Sequence, residues 1–369
     1  MSRYVWQHPD WPRLRFDPAA LLDPLARCRK RQGAFLARVA DLGLDMEKGA
    51  QAEVLFEETV QTAAIEGEIL DRESVRSSVA ARLGLPSAGL RPTDRAADGL
   101  VETLLDATRG CDRPLTAKRI KGWHAALFPA GYSGLRRIGA GRWRTGPVRV
   151  VSGPAGRERV HYEGPPANRV PGEMREFLAW WRSGPGELDG VLWAGVAHFL
   201  FVTIHPFEDG NGRLARTLTD MALARDEGLR ARFYSLSSRI MQERREYYSV
   251  LERDQKGTGD VTAWLAWFVG CVERAVGRSE RLLARILAKA EFWRRHAGVA
   301  VNERQRKALN RLLDAGPGGF EGGLTNRKYV GLTRTTRATA FRELADLVAK
   351  GLLRPGPGRG RSASYDAAW

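Results

Sequence analysis

The chain is 369 residues long, with 59 Lys+Arg against 43 Asp+Glu, a net charge of +16 and 43% hydrophobic residues. That length exceeds one small module, and the apolar content excludes a largely disordered chain. No run approaches eighteen apolar residues, and the N-terminus lacks a basic-then-apolar leader, so neither a membrane span nor secretion is expected. Fifty of the 59 cations are Arg, which suits an anionic partner, although an Arg-rich proteome would give the same balance. Cys28, Cys111 and Cys271 are far apart and without CxxC spacing, which excludes a disulfide framework or zinc site and fits a reducing cytoplasm.

In chain order, a Trp/Pro-rich opening (Trp6, Pro9, Trp11, Pro12) leads into a helical pattern through Leu21, Leu25, Phe35 and Val39, a small helical cap over residues 1–48. Helices follow over about Ala50 to Leu70, Arg95 to Ala107 and Leu115 to Phe128. The stretch from Ser78 to Thr93 reads as a loop for its Gly and Pro content. Within Gly141 to Tyr162, the runs Val148 to Val151 and Val160 to Tyr162 flank Ser152-Gly153-Pro154-Ala155-Gly156, a hairpin signature. Helical patterns then cover Gly172 to Arg182, Leu188 to Ile204, Gly212 to Asp226, Ser237 to Leu251 and Val261 to about His296.

The chemistry concentrates in Thr203-Ile204-His205-Pro206-Phe207-Glu208-Asp209-Gly210-Asn211-Gly212-Arg213-Leu214-Ala215-Arg216. An apolar helix delivers His205, Pro206 stops it, and Gly210-Asn211-Gly212 turns the chain into a new helix whose free amides and dipole favour phosphate. Arg213 and Arg216 share a helix face and can clamp phosphate oxygens, Asp209 is a hard oxygen ligand of the Mg²⁺ type, and His205 can take a proton near neutral pH. Phe207 is expected to point inward, and His198, seven residues before His205, to be structural.

This stretch resembles the Fic (filamentation induced by cyclic AMP) signature His-Pro-Phe-x-Asp/Glu-Gly-Asn-Gly-Arg-x-x-Arg at every specified position. The resemblance implies a mainly α-helical core of residues 49–296, carrying a β-hairpin flap that registers the target by strand addition. It implies a protein adenylyltransferase (AMPylase), which moves AMP from ATP, with Mg²⁺, onto a Ser, Thr or Tyr hydroxyl of a protein, itself included. In that carry-over His205 is the general base and Asp209 the metal ligand. Gly210, Asn211 and Gly212 cradle phosphate, and Arg213 and Arg216 contact the β- and γ-phosphates. Tyr247 and Tyr248 lie on a helix used near the adenine, with core packing of one of them an equal expectation. Gly212 stands where related Doc-type kinases carry Lys, which argues against kinase chemistry. Thr62-Ala63-Ala64-Ile65-Glu66-Gly67 resembles the inhibitory motif Ser/Thr-x-x-x-Glu-Gly/Asn, on a helix of about residues 50–70, and implies that Glu66 pairs with Arg216 and restrains ATP. The same residue could serve a de-AMPylating hydrolase, which stands as an alternative.

Residues 302–369 hold 13 Lys+Arg against 6 Asp+Glu and parse as helix, short helix, turn, longer helix and two strands, a winged helix. The pattern resembles bacterial regulators, with Arg334 and Arg337 at the start of a recognition helix and Arg359 and Arg361 on the wing tip as DNA contacts. Protein contact or a homodimer through this domain stays open, as does a DNA-binding regulator whose core senses nucleotide.

Overall fold

The computed structural model describes residues 4–85, 93–153, 157, 159–316, 318–358 and 363–369. It divides into two compact units, Met1–Gly277 and Arg278–Trp369. The fold is mainly α, with small sheets only.

In the first unit, Trp6 and Trp11 tie the opening segment down by donating their indole N–H to the Glu163 carbonyl (2.9 Å) and to Glu173 Oε2 (2.7 Å). Helix α1 (Pro18–Ala40) starts where Asp17 caps the Ala19 amide and Pro18 occupies the first turn. Helix α2 (Leu44–Ile65) ends in a turn at Glu66, and Gly67, at φ 84°, reverses the chain. Helix α3 (Arg72–Leu83) follows, so the expected loop from Ser78 is helical as far as Leu83. The apolar spacing Val75, Val79, Leu83 was present, and the serines around it are buried, Ser78 bonding Asp98 and Ser74 accepting from the Asp94 amide. Residues 86–92 of that expected loop lie outside the described residues.

Helices α4 (Arg95–Arg109) and α5 (Ala117–Leu127) lead to a two-residue ladder of β1 (Tyr132–Ser133) and β2 (Arg136–Arg137), too short to register in the sequence. The flap is an antiparallel pair, β3 (Arg149–Ser152) and β4 (Arg159–Glu163), with an irregularity between Val150 and Val151. Then come α6 (Val170–Ser183), α7 (Gly190–Ile204) and α8 (Asn211–Glu227). Every residue of α7 is buried, as an apolar helix surrounded by others must be. The pattern from Ser237 to Leu251 is two helices, α9 (Leu236–Gln242) and α10 (Arg244–Gln255), broken at Glu243, whose carboxylate is held by both donors of Arg274 at 2.7 Å. Helix α11 (Thr262–Arg295) begins in the first unit and ends in the second.

The second unit contains α12 (Glu303–Asp314), α13 (Asn326–Thr333) and α14 (Arg337–Ala349). Its antiparallel sheet has the order β5 (Leu324–Thr325), β7 (Ser364–Ala367), β6 (Leu353–Pro355). Its core gathers Leu309, Leu312, Tyr329, Leu344, Leu347 and Leu353. All three cysteines are buried and free, and no helix among the described residues is long and apolar enough to cross a membrane.

Candidate active site

His205 ends α7 in the left-handed conformation, at φ 50° and ψ 60°. Its Nδ1 is 3.0 Å from the Val202 carbonyl, which can only accept, so Nδ1 carries the hydrogen and Nε2 keeps a lone pair. Burial, offset in part by that carbonyl, lowers the pKa of the ring, and nearby Arg144 lowers it further. A neutral imidazole at pH 7 is therefore favoured.

Behind it the loop is locked by its own residues. Phe207 is fully buried and stacks on His124, ring centroids 3.9 Å apart. Asn211 Oδ1 accepts from the Phe207 amide and Nδ2 donates to the Phe207 carbonyl, both at 2.9 Å, so the Asn211 side chain closes the loop and is not available to a ligand. Gly210 sits at φ 74°, and a Cβ there would meet Phe128 Cε2 at 2.8 Å, so glycine is required. His124 was not singled out from the sequence. Its Nδ1 accepts from the Gly141 amide (2.9 Å), leaving Nε2–H to donate to the Asp209 carbonyl (3.2 Å). Burial pushes this histidine down to about 4, which keeps it in that neutral tautomer.

Asp209 Oδ1 accepts from the Gly210 amide and Oδ2 from the Ser133 hydroxyl. Asp209 is half-buried, and its carboxylate is a hard oxygen donor that could hold a Mg²⁺.

Arg213 and Arg216 of α8 both meet carboxylates from the chain just after α2. Arg216, 1% exposed, donates from one terminal nitrogen to Glu66 Oε1 (2.7 Å) and to the Thr62 carbonyl (2.9 Å), and from Nε to Thr62 Oγ1 (2.7 Å). The Tyr247 hydroxyl also interacts with the Arg216 guanidinium, whereas Nε of Arg213 is buried without a hydrogen-bond partner. Arg213 lies 4.7 Å above the Phe128 ring and donates to Glu68 Oε2. Glu68 was not foreseen, since nothing local distinguishes it from a solvated acid. A Cβ on Gly212 would meet Glu66 Oε1 at 2.0 Å, so glycine there is what admits the carboxylate to the first turn of α8.

Tyr247 and Tyr248 do not share a role. Tyr247 is buried among Trp264, Trp267 and His198, with its hydroxyl 2.9 Å from His198 Nε2, so it is a core residue and cannot stack on a base. Tyr248 is half-buried, its hydroxyl 3.4 Å from the Ile65 carbonyl at the end of α2. His198 is structural, held by Thr219 and Tyr247.

Residues 114–223, which span α5 through most of α8, match the Fic/DOC family. The chain carries a Fic/DOC family domain. Ahead of this Fic domain, residues 4–85 match a domain of unknown function, DUF4172, which takes in α1, α2 and α3. A "Protein adenylyltransferase Fic" from Nematostella vectensis is 26% identical over 236 residues, 62% of this chain and 49% of that one. One of the same name from Aedes aegypti is 33% identical over 104 residues, 28% of this chain and 19% of that one. The chain thus spans half or less of the length of these curated relatives. A Fic family protein from Desulfovibrio desulfuricans G20 shares the fold over 95% of this chain and 96% of its own, with a TM-score of 0.56 at 19% identity.

In the second unit, Arg334 caps α13 at φ 52° and Arg337 opens α14. Both are exposed and neither has a carboxylate partner among the described residues. Arg359 and Arg361 lie outside the described residues.

Proposed function

We propose that the Fic domain transfers AMP from ATP to a hydroxyl of a protein and that the chain holds this activity down through Glu66, with Glu68 beside it. The target hydroxyl oxygen attacks the α-phosphorus of ATP while His205 Nε2 takes its proton. The bond from that phosphorus to the α,β-bridging oxygen breaks, and pyrophosphate leaves. The amides at the start of α8 hold phosphate oxygens, and Arg213 and Arg216, once released from Glu68 and Glu66, contact the β- and γ-phosphates. Asp209 would hold Mg²⁺, which when bound offsets phosphate charge. The free edge of the β3–β4 flap would register an extended target segment.

The observation that carries this reading is the 2.7 Å pair of Arg216 with Glu66, whose carboxylate oxygen stands where a Cβ on Gly212 would be, at the first turn of α8. The test is transfer of label from ATP: Glu66→Gly should raise it and His205→Ala abolish it, and unchanged labelling in both would overturn the mechanism.

A second reading concerns residues 302–369, as a winged helix on duplex DNA. It is favoured by the exposed face of α14, where Arg337 and Phe341, the latter 65% exposed, lie one turn apart. Such a face offers a guanidinium for guanine or phosphate and a ring for a thymine methyl.

A further inference from the structure

Arg144, on the segment leading into the flap, is 3% exposed. Its guanidinium has no carboxylate partner among the described residues and donates only to backbone carbonyls. Nε reaches His205 O at 2.7 Å, one terminal nitrogen reaches Gly146 O at 2.9 Å, and the other reaches Pro165 O at 2.6 Å and Ile204 O at 3.5 Å. The Arg144 amide also donates to Pro206 O at 2.9 Å. Burying a cation without a counter-ion is costly, so a position that does so has to offset it with oriented dipoles. Two of those dipoles, the Ile204 and His205 carbonyls, end α7, lack intrahelical donors and sit at the negative end of the helix, and the other two are the Gly146 and Pro165 carbonyls.

The same contacts bear on His205, a non-glycine residue in the left-handed region, where the backbone is strained unless its surroundings hold it. Arg144 grips the residue before it, the residue itself and the residue after it. We propose that Arg144 is a positioning residue for His205, tying the end of α7 to the flap and fixing the turn that presents the imidazole. Its charge has a second effect, because a buried cation disfavours a second cation beside it. The groups facing His205 are Arg144 from the flap lead-in, Glu66 from the end of α2, Asp209 from the loop and the Val202 carbonyl of α7. The carboxylates and the carbonyl favour the imidazolium, whereas burial and Arg144 oppose it.

The proposal rests on His205 as the base, and its test separates the two. In the Glu66→Gly chain, label transfer from ATP is followed against pH for Arg144, Arg144→Lys and Arg144→Met, and the His205 ring is titrated by NMR in each. Arg144→Met should lower kcat by about 100-fold, the scale of a misplaced catalytic group, with KM for ATP little changed. Its acid limb and the His205 titration should move up together, by about one pH unit. Arg144→Lys should keep the charge and the limb while recovering only part of kcat. If His205 titrates at the same pH in all three chains, or if Lys and Met behave alike, the proposal is overturned, and should Arg144→Met not fold, the Lys comparison decides. If the Glu66→Gly chain transfers no label at any pH, the enzymatic reading fails, and the NMR titration still tests the Arg144 contact.

Discussion

Removing the two carboxylates that hold Arg213 and Arg216 should release nucleotide binding unequally. Arg216 is almost wholly buried, and its 2.7 Å bond to Glu66 is a charge-assisted one, a class that contributes about 1.5–3 kcal/mol. ATP must displace Glu66 to use that donor, so Glu66→Gly should tighten ATP binding by about 10- to 100-fold, each ~1.4 kcal/mol being a factor of ten. The Glu68 pair is the more exposed, its side chains at 6% and 39% against 1% and 27% for Arg216 and Glu66, and solvent screening reduces it to roughly 0.2–1 kcal/mol. Glu68→Gln alone should therefore tighten ATP only about 1.5- to 5-fold. The two carboxylates leave the same short turn at Gly67, so loss of one should loosen the other, and the double variant should fall short of the product of the single effects. Isothermal titration with ATP and Mg²⁺ on the four chains reads affinity, and label transfer reads turnover. An unchanged ATP affinity in a folded Glu66→Gly chain would refute the reasoning, because the ion pair would then not compete with phosphate. A larger effect from Glu68 than from Glu66 would reverse the ranking by burial and refute it equally.

The remaining predictions concern pH and DNA. His124, held down to about 4 against an unfolded value of 6.5, binds its proton less readily in the folded chain, so its neutral form stabilises the fold above pH 6.5 and that stability is lost as pH falls toward 4. The loss is of the order of 3 kcal/mol, and thermal melts of the wild type and of His124→Asn should show a shallower slope in that window for the variant. His198, lowered to about 3, contributes loss of the same sign from pH 6.5 down to about 3, so a slope unaltered by His124→Asn would assign the window to His198 and other groups. For the second unit, duplex DNA affinity of the full chain should fall steeply between about 50 and 200 mM salt, and Arg337→Ala should reduce the salt slope by about one. A flat salt dependence would remove the phosphate contacts.

What was legible in the sequence is what short-range physics encodes. The loop from His205 to Arg216 could be read because Pro206, Gly210 and Gly212 each impose a local geometry, and α7 because nothing but burial explains fifteen such residues in a row. The pairing of Glu66 with Arg216 was legible only through the resemblance, since 150 residues separate them. Glu68, His124 and Arg144 were missed for a common reason: each acts through contacts distant in sequence, and each looks alone like an ordinary polar residue. Tyr247 and Tyr248 could not be told apart, because neighbours on a helix point about 100° apart and only the packing of Trp264 and Trp267 decides which is enclosed. Helix α3 was obscured by serines, which favour caps and turns when exposed but are satisfied here by backbone and by Asp98.

The three missed residues share one logic, which is that the loop between α7 and α8 is held in place from outside. His124 grips the carbonyl of Asp209, Arg144 the carbonyls from Ile204 to Pro206, and Glu68 the guanidinium of Arg213. The first two come from α5 and the flap lead-in and leave the arginine donors untouched, so they can hold the loop in any nucleotide state. The third comes from the same turn as Glu66 and occupies a donor that phosphate would need. Geometry thus separates scaffold from restraint: variants at His124 or Arg144 should impair the loop whether or not Glu66 is present, whereas variants at Glu68 should matter only where ATP has an arginine to win.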